Sequence, residues 1–186
     1  KYTFGAFIIN GRSDTAGVRE WPELLKKIAA KGIPLITLRA GDKITYRENS
    51  ISILSPSQDY SQSGELNDTG FVELIKTPAV RALFTADIDS RVEDYLVKNF
   101  DIRADILKVP HHGSKYSSSN GLLKAVNPKI AVIEVGKNNY GHPAEETLDR
   151  LKMVTEKIFR TDTGGTIAVK ISGKRLLIFT ERKIER

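Results

Sequence analysis

The residues of this sequence that could bind a metal ion or move a proton are three histidines and an aspartate. His111 and His112 come directly after one predicted strand, His142 follows a second across a short polar turn, and Asp87 follows a third. In α/β sheets, active sites collect at strand ends and in the loops beyond them. Neutral imidazole nitrogens and carboxylates are ligands for zinc, manganese and iron. The pattern is therefore compatible with a metal-ligand set at one edge of a sheet, but spacing alone does not establish one.

Two other interpretations stay open at the level of spacing alone. A histidine in a loop is most often a surface residue. Asp87 precedes a predicted helix, where it could act as the helix cap. Gly113 and Gly141 stand beside the histidines and would let the backbone turn tightly near a bound ion.

The elements that would position these residues alternate between strands and helices. Apolar runs bounded by turn residues predict strands over 6–10, 34–38, 51–54, 71–76, 81–85, 106–109, 130–135, 166–171 and 175–179. Helical spacing predicts helices over 21–29, over 90–99 with Asp89 or Ser90 as cap, over 122–126, and from Pro143 onward as the first helical residue. A turn is expected at 40–43, a polar loop at 57–68 and a hairpin turn at 172–174. This order predicts an α/β protein of the α+β sandwich type, a mixed sheet with helices packed on it, in a single domain over 1–186.

Composition narrows the classes of protein. Of the 186 residues, 40% are hydrophobic and 28% are charged, which is typical of a chain that builds a core. The sequence contains no cysteine, so disulfides, thiolate metal sites and cysteine nucleophiles are excluded. The net charge of +6 favours an anionic partner such as nucleic acid, although a well-solvated surface explains it equally well. No apolar run is long enough for a membrane span, so no membrane contact is expected from these residues.

The amino-acid sequences of several short motifs give a more specific indication of the protein family. Residues 67–165 resemble the soluble metallo-β-lactamase-like domain of the ComEC family of competence proteins, which take up DNA. The matching segments are Asn67–Val72, Leu83–Ile88, Ala104–Ser114 with Ser117 and Ser118, Asn127–Ile133, Gly136–Pro143, Arg160–Asp162 and Gly164–Gly165. Residues 1–56 are similar to the linker segment of the same family.

The resemblance implies roles for individual residues. Asp87 would be the carboxylate that bridges two metal ions, and His142 a late metal ligand. His111 or His112 would contact the metal or the scissile group. The candidates for substrate or supporting hydrogen bonds are Ser114, Asn139 and Asp162, with turn residues and a cap as the alternatives. The candidates for phosphate contacts are Lys115 and Lys108, with a solvated lysine as the favoured alternative for both.

This sequence departs from the family pattern in two places. Ala86 stands where the family usually has glycine before the bridging aspartate, which adds a methyl group where the chain turns. The superfamily's first motif, rich in histidine and aspartate, is absent. The chain is therefore expected to be the C-terminal part of a metallo-β-lactamase-fold domain that is incomplete at its N-terminus, with the rest of a longer chain preceding Lys1.

The function that the resemblance implies is metal-dependent hydrolysis of DNA phosphodiesters linked to DNA uptake. Two divalent cations, zinc or manganese, would serve as cofactors, and Asp87, His111 and His112 would be catalytic. The alternatives are a different hydrolase on the same scaffold, such as a lactonase or thioesterase, and a catalytically inactive nucleic-acid-binding module. A ComEC-like protein would carry this domain on the extracytoplasmic side of a bacterial membrane.

Overall fold

The computed structural model describes residues 3–12, 20–58, 65–173 and 175–182. Its strands are β1 Phe7–Ile9, β2 Leu35–Thr37, β3 Lys43–Tyr46, β4 Asn49–Ser55, β5 Val72–Lys76, β6 Arg81–Phe84, β7 Ile106–Lys108, β8 Ile130–Ile133, β9 Ile158–Arg160, β10 Ile167–Ser172 and β11 Arg175–Thr180. Its α-helices are α1 Glu20–Ala30, α2 Ser90–Asn99, α3 Asn120–Val126, α4 Glu145–Lys152 and the single turn α5 Thr161–Gly164. Short 3-10 helices cover Leu66–Thr69 and Pro110–Gly113. The predicted α/β class is thus what the chain adopts.

The central sheet has seven strands in the order β3-β4-β5-β6-β7-β8-β9. Strands β3 to β6 pair antiparallel, and β6 to β9 pair parallel. In the parallel half, Phe84 pairs with Lys108, Lys108 with Val132, and Val132 with Phe159. These four strands therefore end level with one another, and the loops that follow them meet at one edge of the sheet.

The hydrophobic core lies between this sheet and the helices that follow the parallel strands. Leu83 and Leu107 of the sheet are fully buried, as are Leu96 of α2, Leu122 of α3 and Leu151 of α4. The β6 to β8 segments are apolar on both faces, as expected for central parallel strands. Burial of this face fixes the register of the strands and hence the positions of the loops at their ends.

Two smaller sheets flank the central one. Strands β1 and β2 pair parallel beside α1, and the side-chain amide of Asn10 donates to the Thr69 carbonyl at 2.8 Å, which ties the end of β1 to the chain entering β5. Strands β10 and β11 form the predicted antiparallel hairpin. The Lys174 part of the predicted turn and residues 59–64 of the predicted loop lie outside the described residues. No helix among the described residues is long and apolar enough to cross a membrane.

Three predictions about elements were wrong. The strands β3 and β9 were not foreseen, because they are short strands at the two ends of the sheet and β3 is exposed along its whole length. Helix α4 begins at Glu145, not at Pro143. The residue before it, Ala144, is tied to the turn after β7, because its N–H donates to the Gly113 carbonyl at 2.9 Å.

The turn that follows β7 has an uncommon backbone. His111, His112 and Gly113 all have positive φ, at 47°, 54° and 81°. Positive φ is uncommon for residues other than glycine, so three in sequence need support from their surroundings. The N–H of His111 donates to the Ala86 carbonyl at 3.1 Å, and the 113–114 backbone packs against the segment that carries Pro143.

We expect Gly113→Ala to destabilise the fold by about 2 kcal/mol or more, because strain and overpacking act together. A Cβ at this position would lie 2.6 Å from the Pro143 Cβ, and φ is +81°. Gly136→Ala is the matched control, since a Cβ there meets nothing within 4 Å. Urea unfolding of both variants checks the prediction, and equal midpoints would contradict it.

The Arg160–Asp162 pair at the end of β9 predicts a pH dependence. The guanidinium holds the pKa of Asp162 below its usual range through hydrogen bonds of 2.6 and 3.0 Å. A carboxyl whose folded-state pKa is depressed contributes stability that is present above the unfolded pKa and lost as pH falls towards the folded value. Asp162→Asn should therefore lower stability near neutral pH and flatten its decline in acid.

Thermal unfolding from neutral pH down to about pH 3 measures this effect. Asp149→Asn is the control, because Asp149 pairs with Lys152 on an exposed face of α4. Parallel stability profiles for the wild type and Asp162→Asn would show that the pair makes no such contribution.

Candidate active site

The four side chains singled out in the sequence lie together at the carboxyl edge of the parallel strands. Oδ2 of Asp87 is 3.5 Å from Nε2 of His112. The rings of His111 and His112 have centroids 6.4 Å apart, and those of His111 and His142 are 5.6 Å apart. The parallel register explains this grouping, because the loops after β6, β7 and β8 start from the same level of the sheet.

Asp87 is oriented by a lysine and does not cap a helix. The cap of α2 is Asp89, whose carboxylate accepts the Arg91 N–H at 2.9 Å. The ammonium of Lys108 lies 3.7 Å from Oδ1 of Asp87 and donates to the Ala86 carbonyl at 3.0 Å. Ala86 has a φ of +48°, so its methyl group occupies a strained turn immediately before the carboxylate.

Lys108 corrects one interpretation of the sequence. A solvated lysine was expected at this position, yet the side chain is only 11% exposed. An ammonium so far from water requires acceptors, and the Ala86 carbonyl and the Asp87 carboxylate supply them.

His112 is fixed by the neighbouring strand. Its Nδ1 lies 2.6 Å from the carbonyl oxygen of Glu134, just after β8, so Nδ1 carries the proton and donates. Nε2, on the other side of the ring, faces Asp87. A ring nitrogen that donates to a carbonyl fixes the orientation of the imidazole, as it does in metal-binding and proton-transferring histidines.

His142 is held by a side chain that sequence reasoning missed. Asn138 accepts the His142 N–H at 3.1 Å and donates to the His142 carbonyl at 2.8 Å. It also accepts the Tyr140 N–H at 3.0 Å, which closes the 138–142 turn around one amide group. The sequence did contain an indication of this role, because the side-chain oxygen of asparagine commonly accepts a hydrogen bond from the backbone N–H two residues ahead. Asn139, the residue that was singled out, is exposed.

The surroundings of His142 favour the neutral form of its ring. Burial lowers its pKa, and the neighbouring His111 and His112 lower it further, while Asp87 acts in the opposite direction. Nδ1 of His142 is buried and has no hydrogen-bond partner among the residues that the structure describes. A buried ring nitrogen in this position suits a metal ion.

The donor set fits part of a coordination sphere. Imidazole nitrogens on His111, His112 and His142 and the carboxylate of Asp87 are the right chemistry for a divalent cation. Within the described ranges, no group of three or more histidine, cysteine, aspartate or glutamate side chains has the geometry to hold a metal ion. The described residues therefore provide candidate metal ligands, but they do not form a complete coordination shell around one point.

The loop after the histidine pair, residues 115–119, is held by two charged side chains. Glu93 of α2 is fully buried and accepts the N–H groups of Ser118 at 2.5 Å and Ser119 at 2.8 Å. Burial raises the pKa of Glu93, and these hydrogen bonds act against that rise. Arg150 of α4 donates to the Ser118 carbonyl at 2.9 Å. Sequence reasoning missed both residues, because a charged residue in an amphipathic helix is usually solvated.

Three of the other weaker candidates have different surroundings. Ser114 is buried, and its carbonyl accepts the Thr147 hydroxyl at 2.9 Å. Lys115 is exposed and lines a cleft together with His111 and His142. Asp162 is engaged by Arg160. The structure thus brings Ser114 and Lys115 to the histidines and gives Asp162 another partner, while the roles predicted for these residues stay predictions.

Comparisons with known proteins bear on the family. No protein-family model matches the chain. The chain is 29% identical over 154 residues to ComE operon protein 3 of Bacillus subtilis, a match that covers 82% of this chain and 20% of that protein. It is 34% identical over 112 residues to competence protein ComA of Neisseria gonorrhoeae, covering 58% of this chain and 16% of that protein. It is 30% identical over 127 residues to recombination protein 2 of Haemophilus influenzae, covering 68% and 16%.

Solved structures give a weaker likeness. The metallo-β-lactamase fold protein YhfI of Bacillus subtilis aligns with 74% of this chain and 57% of its own, at 12% identity and a TM-score of 0.42. The diiron β-hydroxylase CmlA of Streptomyces venezuelae aligns with 75% of this chain and 35% of its own, at 12% identity and a TM-score of 0.48. Likenesses of this strength support no inference about chemistry.

The sequence matches are the stronger finding. The chain spans a fifth or less of the length of these relatives, so it corresponds to one portion of each. The resemblance to ComEC competence proteins that the motifs predicted is confirmed: the chain is a ComEC-like domain, similar to competence proteins much longer than itself.

Proposed function

We propose that this chain is part of a metal-dependent hydrolase that cleaves the phosphodiester backbone of DNA during DNA uptake. The observation that supports this most directly is the grouping of Asp87, His111, His112 and His142 at the edge of the sheet. The similarity to competence proteins supports the link to DNA. The proposal also places the domain on the extracytoplasmic side of a bacterial membrane, as the family resemblance implies.

The metal ligands in this proposal are Asp87, His111 and His142. A bound divalent cation supplies a water of lowered pKa and polarises the scissile oxygen. Two cations, zinc or manganese, match the nitrogen and carboxylate donors.

Three other side chains of the site transfer a proton or contribute positive charge. Nε2 of His112, fixed by the Glu134 carbonyl and facing Asp87, is placed to accept or return a proton. The Lys108 ammonium balances the Asp87 carboxylate from a largely buried position. Lys115, exposed on the rim of the cleft, contributes positive charge towards an anionic substrate.

A nucleic-acid-binding module without catalysis is the second candidate. It is favoured by the lack of a complete ligand group among residues 3–12, 20–58, 65–173 and 175–182, and by the net charge of +6. An experiment can distinguish this candidate from the hydrolase. In a hydrolase, a substitution can abolish cleavage of DNA while binding of DNA is retained.

We expect Asp87→Asn to reduce DNA cleavage by the full-length protein by about 100-fold or more, because it removes a ligand carboxylate while keeping its shape. Binding of the same DNA, measured without metal, should change by less than about 3-fold, since phosphate contacts provide most of that affinity. Asp94→Asn is the control, because Asp94 is exposed on α2. An equal loss of cleavage and binding would count against a catalytic role for Asp87.

Metal dependence gives a separate prediction. Chelation should abolish cleavage by the full-length protein, and added manganese or zinc should restore it. His142→Gln should raise the metal concentration needed for half-maximal restoration by about 10-fold or more, because no described residue gives Nδ1 of His142 a hydrogen bond.

Calorimetric titration of the protein with manganese measures the same loss without relying on activity. Asn139→Ala is the control for His142→Gln, since Asn139 lies exposed in the same turn. Cleavage that persists after exhaustive chelation would show the metal-dependent mechanism to be wrong.

A further inference from the structure

A cleft of about 510 Å³ opens beside the histidines. His111 and His142 line it, and so do two tyrosines, Tyr116 and Tyr140, from the loops that follow β7 and β8. We call it the tyrosine cleft. It is large enough for a nucleotide or more and connects directly to the proposed ligands.

Both tyrosines present open ring faces. Tyr140 is 84% exposed and Tyr116 is 70% exposed, although large aromatic side chains are usually more buried. The Tyr140 ring stacks on His142 at a centroid distance of 6.0 Å and an interplanar angle of 27°. The ammonium of Lys115 lies 5.0 Å above the Tyr116 ring. Each ring is thus supported by one charged or aromatic neighbour while most of its surface stays accessible.

The charge of the cleft does not favour a phosphate chain along its length. Lys115 contributes one positive charge to the lining, whereas Glu145 and Glu146 at the start of α4 contribute two carboxylates. Glu145 has a cationic neighbour in Lys152 at 3.6 Å, but that lysine does not line the cleft. Carboxylates repel a row of phosphates, whereas they do not repel an uncharged aromatic ligand.

We propose that the tyrosine cleft binds the unpaired bases of a single-stranded nucleic acid, with Tyr116 and Tyr140 as stacking surfaces. Aromatic side chains take up successive bases in this way because every base has a π-face. In a duplex those faces are covered by neighbouring base pairs, so the open tyrosine rings have nothing to stack on. The proposal rests on the proposed function in placing a phosphate of the strand at the histidine end.

The two rings have separate parts in this arrangement. Tyr140 stands next to a proposed metal ligand, so a base stacked on it places its own phosphate close to Asp87 and His111. Tyr116 follows the histidine pair on the loop that Glu93 and Arg150 hold, and this support keeps the ring at the rim of the cleft. A strand that enters past Tyr116 would thus be directed towards the histidines.

The test is fluorescence anisotropy of labelled oligonucleotides with the full-length protein in excess chelator, so that nothing is cleaved. A single strand of about 12 nucleotides spans sites of this kind, and its blunt duplex is the competitor. We expect the single strand to bind at least about 10-fold more tightly than the duplex, and Tyr140→Ala and Tyr116→Ala each to weaken it about 10-fold. Tyr140→Phe and Tyr116→Phe should stay within about 2-fold of wild type, because the ring faces are retained.

Tyr46 provides a matched control. It is 67% exposed on β3, and Arg47 lies 5.2 Å over its ring, as Lys115 lies over Tyr116. Tyr46→Ala should leave affinity for the single strand unchanged. Equal affinity for strand and duplex, or affinity unaffected by both tyrosine-to-alanine substitutions, would overturn the proposal. Because the measurement contains no metal, its result is independent of whether the protein hydrolyses DNA.

Discussion

Gly113 and Pro143 pack so closely that they hold the two histidine-bearing segments against each other. A Cβ on Gly113 would come within 2.6 Å of the Pro143 Cβ, and the Gly113 carbonyl accepts the Ala144 N–H at 2.9 Å. Parallel pairing of β7 and β8 brings the two loops to the same edge of the sheet, but pairing alone leaves their side chains free to diverge. The backbone contact removes that freedom, and the rings of His111 and His142 stand 5.6 Å apart as a result.

The same edge of the sheet carries a charge balance that depends on burial. Lys108 is 11% exposed, and its ammonium is satisfied by the Ala86 carbonyl and the Asp87 carboxylate. A buried ammonium without a partner would cost free energy, and the Asp87 carboxylate removes that cost. In return, the lysine orients the carboxylate. Burial also lowers the pKa of the neighbouring His142.

The grouping of the four side chains could be predicted, because buried parallel strands are apolar runs and their carboxyl ends share an edge. The details that depend on contacts between distant segments could not. Lys108 looks like any surface lysine until the φ of +48° at Ala86 turns a carbonyl towards it. Asn138 and Asn139 are indistinguishable by type, and only the path of the turn decides which amide faces inward. Helix α4 starts after Pro143 because the preceding residues are bound to Gly113.

In the proposed function, long-range charge and local contact would make different contributions to recognition of nucleic acid. The net charge of +6 would attract nucleic acid over distances of about a Debye length, roughly 8 Å at physiological salt. At the tyrosine cleft the sign is reversed, because Glu145 and Glu146 outnumber Lys115 in the lining. A ligand drawn in by the overall charge would therefore be retained in the cleft only through uncharged surface. Exposed aromatic rings supply such surface, so affinity from phosphate contacts and selectivity from stacking would reside in separate parts of the molecule.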